Sequence, residues 1–342
     1  MEILGGQAVQ ARRLLAALAE EPGVALTFQP INPSVGPLRR IKYLRTAASI
    51  VLYCAQMLAR SRRYDVLHVF SASYYSYTLR TLPALACAKL YGKKIILNYR
   101  DGQAERHLAN WRTALPSIRR MDAVVAPSGY LVDVFAGFGI QAQAIFNILD
   151  PRSFRHRKRR RLRPVFLHNR ILEPLYNVGC ALRAFQLIQQ RYSEASLTVA
   201  HDGGSRPELE QLARELGLAN TRFVGQVPHD RVADLYDQSD IYLTSPDFDC
   251  MPGSLLECFA SGLPVVATDA GGIPYIAENE RTALLVPRGD HQAMAAAALR
   301  LLEDQDLVER LTAAAYEESN RYDASVARRE WAALYRRLHE SR

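Results

Sequence analysis

Along the chain, short apolar runs rich in β-branched residues alternate with longer stretches of helical period. The runs are Val66–Phe70, Lys94–Asn98, Ala123–Pro127, Val165–His168, Leu197–Ala200, Ile241–Thr244 and Pro264–Thr268. Between them, Asn177–Arg191, Arg206–Gly217, Arg231–Gln238 and Asp290–Glu303 read as amphipathic helices, the last Ala- and Leu-rich with Asp290 as its N-cap. Such alternation predicts βαβ units, an α/β class and two parallel sheets. At the start, Gly5 and Gly6 form a glycine turn before a helix over Gln7–Glu20, yet only Met1–Leu4 precede them. A buried strand usually has about 5 or 6 residues, so the first strand is either a stub or begins upstream of Met1.

The 342 residues suit one large or two ordinary domains, and 49% hydrophobic content supports packed cores. Lys and Arg number 43 against 35 Asp and Glu, a net charge of +8. Eight of the cations, and no acid, lie between Arg152 and Arg163; the chain before that run carries +9 and the chain after it −9. Like charges at that density repel and cannot be buried unpaired, so the run is expected to be a solvated linker or a docking surface. The expected domains are 1–151, the linker 152–163, a second domain 164–326 and a C-terminal helix 327–342. Only Phe154 interleaves the run and no nucleic-acid motif surrounds it, so no nucleic-acid partner is expected. A polyanion binder acting through Arg157–Arg161 remains a rival.

Five widely spaced cysteines without a Cys-x-x-Cys pair imply a reducing compartment. The most apolar long stretch, Thr46–Ala59, is too short for a membrane span of about 20 residues. A cytoplasmic protein is expected, with peripheral attachment to an anionic membrane through the N-terminal domain as a candidate. The segment Arg39–Arg63, with cations at both ends of an apolar run, reads either as an interfacial amphipathic helix or as a packed helix with charged ends. The nearly all-round apolar character of Ala47–Leu58 favours the packed helix.

The most informative segment is Ser245–Pro274, SPDFDCMPGSLLECFASGLPVVATDAGGIP. Pro252, Gly253 and Ser254 mark a helix N-terminus, whose free amides and dipole suit a phosphate. Glu257 lies about one turn inside that helix and Asp249 eight residues earlier, in the loop. In isolation Asp249 reads as a turn residue and Glu257 as an acid favoured by the helix dipole.

The whole segment resembles the signature of glycosyltransferase family 4, retaining nucleotide-sugar transferases of GT-B fold. YDVLHV at 64–69, PSGYLVDVF at 127–135, NILDPRSF at 147–154, Phe223–Gln226, LYDQSDIYLTSP at 235–246 and ALLVP at 283–287 follow the family's order, and Gly5-Gly6-Gln7 matches its first glycine loop. The resemblance implies two Rossmann-like domains facing across a cleft, with the C-terminal helix around Trp331–Leu338 returning to the first. It implies a nucleotide-diphosphate-sugar as co-substrate and a glycan or lipid-linked acceptor in cell-envelope or exopolysaccharide synthesis. Asp249, Arg170 and Glu257 would be catalytic: Glu257 on the donor ribose, Asp249 on the transferred sugar and Arg170 on the diphosphate. Gly5, Gly6, Gly253, Ser254 and Leu255 would complete the donor site.

Three departures stand out. The family's second phosphate cation, a lysine, falls on Tyr176 or Asn177; Tyr99, Arg100 and Asp101 stand where many members carry a histidine; and the loop His201-Asp202-Gly203-Gly204 has its glycine shifted by one. Arg100 and Asp101 are therefore candidates for acceptor or phosphate contact. Without a metal-binding Asp-x-Asp or histidine cluster of convincing spacing, no metal and no cofactor are expected. A glycosidase using Asp249 and Glu257 is disfavoured, because Glu257 would sit on a helix behind the phosphate-binding turn. The remaining alternative is a catalytically inert nucleotide-sugar binder or assembly partner. His68, His107, His168, His201, His229 and His291 have no mutual spacing that suggests ligation.

Overall fold

The computed structural model describes residues 6–33, 36 and 42–341. The chain divides into two compact units: one takes the chain up to Ile148 together with the segment from Ala324 onward, the other is Leu149–Asp323. Met1–Leu4 and Gly5 lie outside the described residues.

The first unit runs α1 (Gly6–Ala17), α2 (Lys42–Arg60), β1 (Val66–Ser71), α3 (Tyr74–Ser76), a π-helical turn (Tyr77–Thr81), α4 (Leu82–Leu90), β2 (Lys94–Tyr99), α5 (Ala104–Asn110), α6 (Ala114–Ile118), β3 (Ala123–Ala126), α7 (Gly129–Gly137) and β4 (Gln143–Ala144). Among the described residues its sheet is parallel, in the order β1-β2-β3-β4. Alternate side chains serve opposite faces. Leu67, Val69 and Ile95 pack with Tyr53 and Met57 of α2 and with α4. Ile96 and Val125 pack with Leu14 and Leu18 of α1 and with the last helix.

The second unit runs β5 (Val165–Asn169), α8 (Val178–Arg191), β6 (Ser196–Ala200), α9 (Arg206–Glu215), β7 (Thr221–Gly225), α10 (Val232–Gln238), β8 (Ile241–Thr244), α11 (Gly253–Ala260), β9 (Val265–Thr268), β10 (Leu284–Val286), α12 (His291–Glu303) and α13 (Gln305–Ser319). Its six strands are parallel in the order β10-β9-β8-β5-β6-β7. Every residue of β8 and β9 is buried, as helices on both faces require of a parallel sheet. The Asp290 side chain accepts from the Ala293 amide at 2.8 Å and caps α12. The final helix, α14 (Ala324–Glu340), belongs to the first unit, where Trp331 and Tyr335 enclose His68 of β1. No helix among the described residues is long and apolar enough to cross a membrane.

The basic run departs from the solvated linker expected. Arg155, Lys158, Arg160 and Arg161 are exposed, but Arg159 is 6% exposed and docked into the second unit. Its guanidinium donates to the carbonyls of Tyr236 at 2.7 Å and Ser239 at 3.0 Å, at the end of α10, and to those of Ser261 at 2.8 Å and Gly262 at 2.7 Å, just past α11. A cation is well placed at two helix C-termini, where the last carbonyls lack intrahelical partners. The buried Asp240 completes the arrangement: Arg163 binds it at 2.7 Å, and Arg157 pairs with it as well. Burial pulls the Arg159 pKa down to about 10, Arg157 adding to the fall and Asp240 opposing it, so the side chain stays charged at neutral pH. Gly262, at φ +62, admits the run at this point, because a Cβ there would lie 2.7 Å from the Arg157 carbonyl.

Two predictions follow from the packing. Arg159→Met removes the buried guanidinium from Asp240 and from the helix-end carbonyls, leaving those of Tyr236 and Gly262 without it, and should cost about 3–5 kcal/mol, read as a lowered denaturant midpoint. Lys158→Ala, Arg160→Ala and Arg161→Ala should each stay within about 0.5 kcal/mol; equal effects at all four positions would restore the solvated linker. Burial also drives His68 and His168 down to about 3 and His107 to about 4, so all three are neutral in the folded state. The unfolded chain protonates them near 6.5. Their contribution to stability is therefore complete above about pH 7 and is lost as pH falls from 6.5 toward 4. The thermal midpoint should drop across that range, and less so in His168→Leu, since neither ring nitrogen of His168 has a hydrogen-bond partner. A midpoint independent of pH there would refute the assignment.

Candidate donor site

In the second sheet the chain moves outward from β5 through β6 to β7, then returns to the other side of β5 as β8. Loops leaving the C-terminal ends of β5 and β8 therefore diverge and leave a crevice, where open α/β sheets bind ligands. Arg170 immediately follows β5, while Asp249 and α11 follow β8. The topology thus brings together three groups that lie up to 87 positions apart in the chain.

The Arg170 guanidinium forms an ion pair with the Asp249 carboxylate and stacks over the Tyr176 ring, 4.6 Å from its centroid. Burial works against the Arg170 charge, yet Asp249 and then Tyr176 outweigh it and hold its pKa above the ordinary arginine value. Its Nε is buried without a hydrogen-bond partner. The other Asp249 oxygen accepts from the Met251 amide at 3.2 Å. Asp249 is thus fixed at both ends, and Arg170 is left with donors beyond those it uses on the carboxylate.

Glu257 is the fifth residue of α11. Its carboxylate accepts from the Tyr236 hydroxyl at 2.9 Å, and that hydroxyl accepts from the Asn169 amide at 3.3 Å. Burial, with the Glu257 charge second, raises the Tyr236 pKa well above its usual value and keeps the phenol a donor. Tyr236 and Asn169 carry no signal in the sequence that separates them from ordinary core residues; only the pairing of α10 with α11 reveals them. At the start of α11, Gly253 and Ser254 stand where free amides are expected, whereas the Leu255 amide already donates to the Pro252 carbonyl at 3.1 Å. A Cβ at Gly253 would meet nothing within 4 Å, so this point faces open space.

The position expected to hold a lysine has another use. Asn177, at φ +40, donates to Asp247 at 2.9 Å, and its carbonyl accepts from Ser245 at 2.8 Å, which clips the acidic loop to the start of α8. The chain from residue 164 to 342 contains no lysine at all, so any second cation here is an arginine. Gly271 and Gly272 press against the same loop. A Cβ at Gly272 would lie 2.0 Å from the Cys250 carbonyl, and the Gly272 amide donates to the Asp249 carbonyl at 2.7 Å. Gly203 likewise packs on Leu172, whose carbonyl would lie 2.3 Å from its Cβ.

Arg100 and Asp101 lie in the first unit, after β2. Arg100 bonds Asn147 and lies over the Phe70 ring, 5.4 Å from its centroid. Asp101 accepts from the Ser73 amide at 3.0 Å, the Ser73 hydroxyl at 2.6 Å and the Gln103 amide at 2.9 Å, so its carboxylate ties together the loops after β1 and β2. His68 and His201 are half-buried, while His107 and His168 are core residues. No group of three or more His, Cys, Asp or Glu side chains among the described residues is arranged to hold a metal ion.

Residues 152–318, just under half of the chain, match the family described as glycosyl transferases group 1. Among curated proteins, the amylovoran biosynthesis glycosyltransferase AmsK of Erwinia amylovora is 29% identical over 169 residues, 47% of this chain and 42% of that protein. The sulfoquinovosyl transferase SQD2 of Arabidopsis thaliana is 26% identical over 286 residues, 77% of this chain and 54% of that protein. The chain spans about half the length of these curated relatives. Among solved structures, Anabaena HepE in complex with UDP and glucose superposes with a TM-score of 0.77 at 17% identity, covering 97% of this chain and 96% of that one. Two parallel sheets with interleaved helices and this structural likeness give the fold as GT-B, and residues 152–318 match glycosyl transferases group 1.

Proposed function

We propose that the chain transfers a sugar, with retention, from a nucleoside-diphosphate-sugar to a glycan or lipid-linked acceptor in envelope or exopolysaccharide synthesis. The observation that carries this reading is the convergence of Arg170, Asp249 and the Glu257-bearing helix at the switch point of the second sheet. Glu257, oriented by Tyr236, would accept from the ribose hydroxyls. The diphosphate would lie at the start of α11, facing Arg170, and Asp249 would accept from hydroxyls of the transferred sugar. The bond from the anomeric carbon to the phosphate oxygen breaks through an oxocarbenium-like state, and the electron pair leaves on the diphosphate. Arg170 and the amides of Gly253 and Ser254 stabilise that developing charge. The acceptor oxygen bonds the anomeric carbon from the same face, and its proton passes to the departing phosphate, so no side-chain base is needed.

The acceptor would bind the first unit, where Arg100 is the candidate cation. Five cysteines without a disulfide fit a cytoplasmic location. The absence of lysine beyond residue 163 favours a second reading, an inert nucleotide-sugar binder. Turnover separates the two.

The donor is found by screening nucleotide-sugars for thermal stabilisation, since a ligand bound only by the folded state raises the midpoint. With that donor, Glu257→Ala and Arg170→Lys should lower transfer or donor hydrolysis by about 10²–10³-fold; the lysine keeps the charge beside Asp249 but loses the fork and the stacking on Tyr176. Tyr236→Phe should raise the donor KM about tenfold with kcat nearly unchanged, because a hydrogen bond to a charged group is worth about 1.5 kcal/mol. A Glu257→Ala/Arg170→Lys double variant as active as wild type would refute the site, and a wild-type protein that binds donor without turnover would establish the inert reading. With Arg170 and helix amides as the proposed charge acceptors, activity should survive EDTA; complete loss restored by Mg²⁺ or Mn²⁺ would overturn that point.

A further inference from the structure

Helix α2 has two apolar faces, and the first unit covers only one of them. Ser49, Tyr53 and Met57 are buried, and the Tyr53 hydroxyl donates to the Arg80 carbonyl at 3.0 Å. On the opposite side, Leu44, Ala47, Val51, Ala55 and Leu58 are all exposed, at a spacing that sets them in one stripe about 21 Å long. Val51 is 68% exposed, Leu44 52% and Leu58 46%. Neighbouring segments add to the patch. Gln29 bonds Gln56 at 2.5 Å and accepts from Arg60 at 2.8 Å, which holds the exposed Phe28 and Ile31 beside the helix. The Tyr91 hydroxyl donates to the Leu58 carbonyl at 2.9 Å, next to Leu90, which is 67% exposed.

The stretch of chain that carries this stripe has charge of one sign. From Pro22 to Tyr64 the sequence has seven cations, Arg39, Arg40, Lys42, Arg45, Arg60, Arg62 and Arg63, and no acid. Arg45, Arg60, Arg62 and Arg63 are exposed, and none is in an ion pair among the described residues. An exposed apolar stripe favours association with something, and cations at both of its ends select what. A protein partner would need a matching apolar and acidic face. An anionic bilayer offers both properties at once, since the stripe enters the boundary between headgroups and acyl chains while the arginines stay among the lipid phosphates.

We propose that the outer face of α2 is a docking surface for an anionic phospholipid bilayer, with Leu44, Val51 and Leu58 inserted and Arg45, Arg60, Arg62 and Arg63 on the headgroups. The helix is already folded on the sheet, so docking orders no new segment. The inference stands on α2 alone and does not depend on the donor site, so the two fail separately.

The test is flotation of the full chain with vesicles of phosphatidylcholine alone and of phosphatidylcholine with about a quarter phosphatidylglycerol. The protein should float with the anionic vesicles only, and less in high salt. Val51→Ser/Leu58→Ser, changed at exposed positions and checked for an unaltered thermal midpoint, should bind at least about tenfold more weakly. Arg60→Ser/Arg62→Ser/Arg63→Ser should lose the preference for anionic lipid, by roughly fivefold per cation. Glu257→Ala should float like wild type. Wild-type protein left unbound by both vesicles, or serine variants that bind as well as wild type, would overturn the proposal. So would a wild-type dimer that dissociates in Val51→Ser/Leu58→Ser, since a second copy would then be the occupant of the stripe.

Discussion

The second unit is organised around one buried cation. Arg159 reaches the carbonyls that end α10 and α11, and these two helices carry Tyr236 and Glu257. At its other end α11 presents Gly253 to open space, so the same eight-residue helix is capped by a fixed positive charge at its C-terminus and available to an anion at its N-terminus. A guanidinium suits this place better than an ammonium. Its planar fork divides five N–H donors among carbonyls from two different helices, whereas a lysine would have to choose. Asp240 makes the burial affordable, because a lone charge at that depth would carry the full desolvation cost.

Above that base, the candidate site is rigid for steric reasons as well as electrostatic ones. The acidic loop holding Asp249 is clipped by Asn177 on one side and pressed by Gly271 and Gly272 on the other. With backbone approaching backbone this closely, neither glycine can be replaced without moving Asp249 or Cys250. Two carboxylates eight residues apart are therefore held in different surroundings. One is paired with a guanidinium and the other hydrogen-bonded by a phenol, and this suits different roles at one ligand.

Much of this was legible in the order of residues. The seven apolar runs became strands, Asp290 caps its helix, and the segment Ser245–Pro274 supplied strand, loop, helix and strand. The α/β class came from that rhythm, and the GT-B fold from the family resemblance that segment carries. What stayed hidden depends on contacts far apart in sequence. A run of eight cations reads as solvated because nothing local opposes it; the acid that does, Asp240, lies 77 positions from Arg163. Tyr236 is one more apolar position on a short helix until α11 is set against it. The glycine pair after β9 reads as a turn, and only the proximity of the Asp249 loop gives it a packing role. For α2, apolar residues nearly all round the helix favoured a packed element, and the packing is real; periodicity alone does not tell which apolar face the fold leaves uncovered.

The net charge of +8 changes meaning once its members are located. Within the basic run, Arg157, Arg159 and Arg163 are turned onto Asp240 and helix carbonyls, which leaves a broken row of exposed cations rather than a continuous arm. A polyanion gains little from such a row, since its affinity depends on many phosphates being neutralised together. In the first unit the excess concentrates in an acid-free stretch that flanks an exposed apolar helix face. Cations joined to apolar surface favour a boundary between charged headgroups and hydrocarbon over a fully hydrated nucleic acid, because only the former removes Val51 and Leu58 from water.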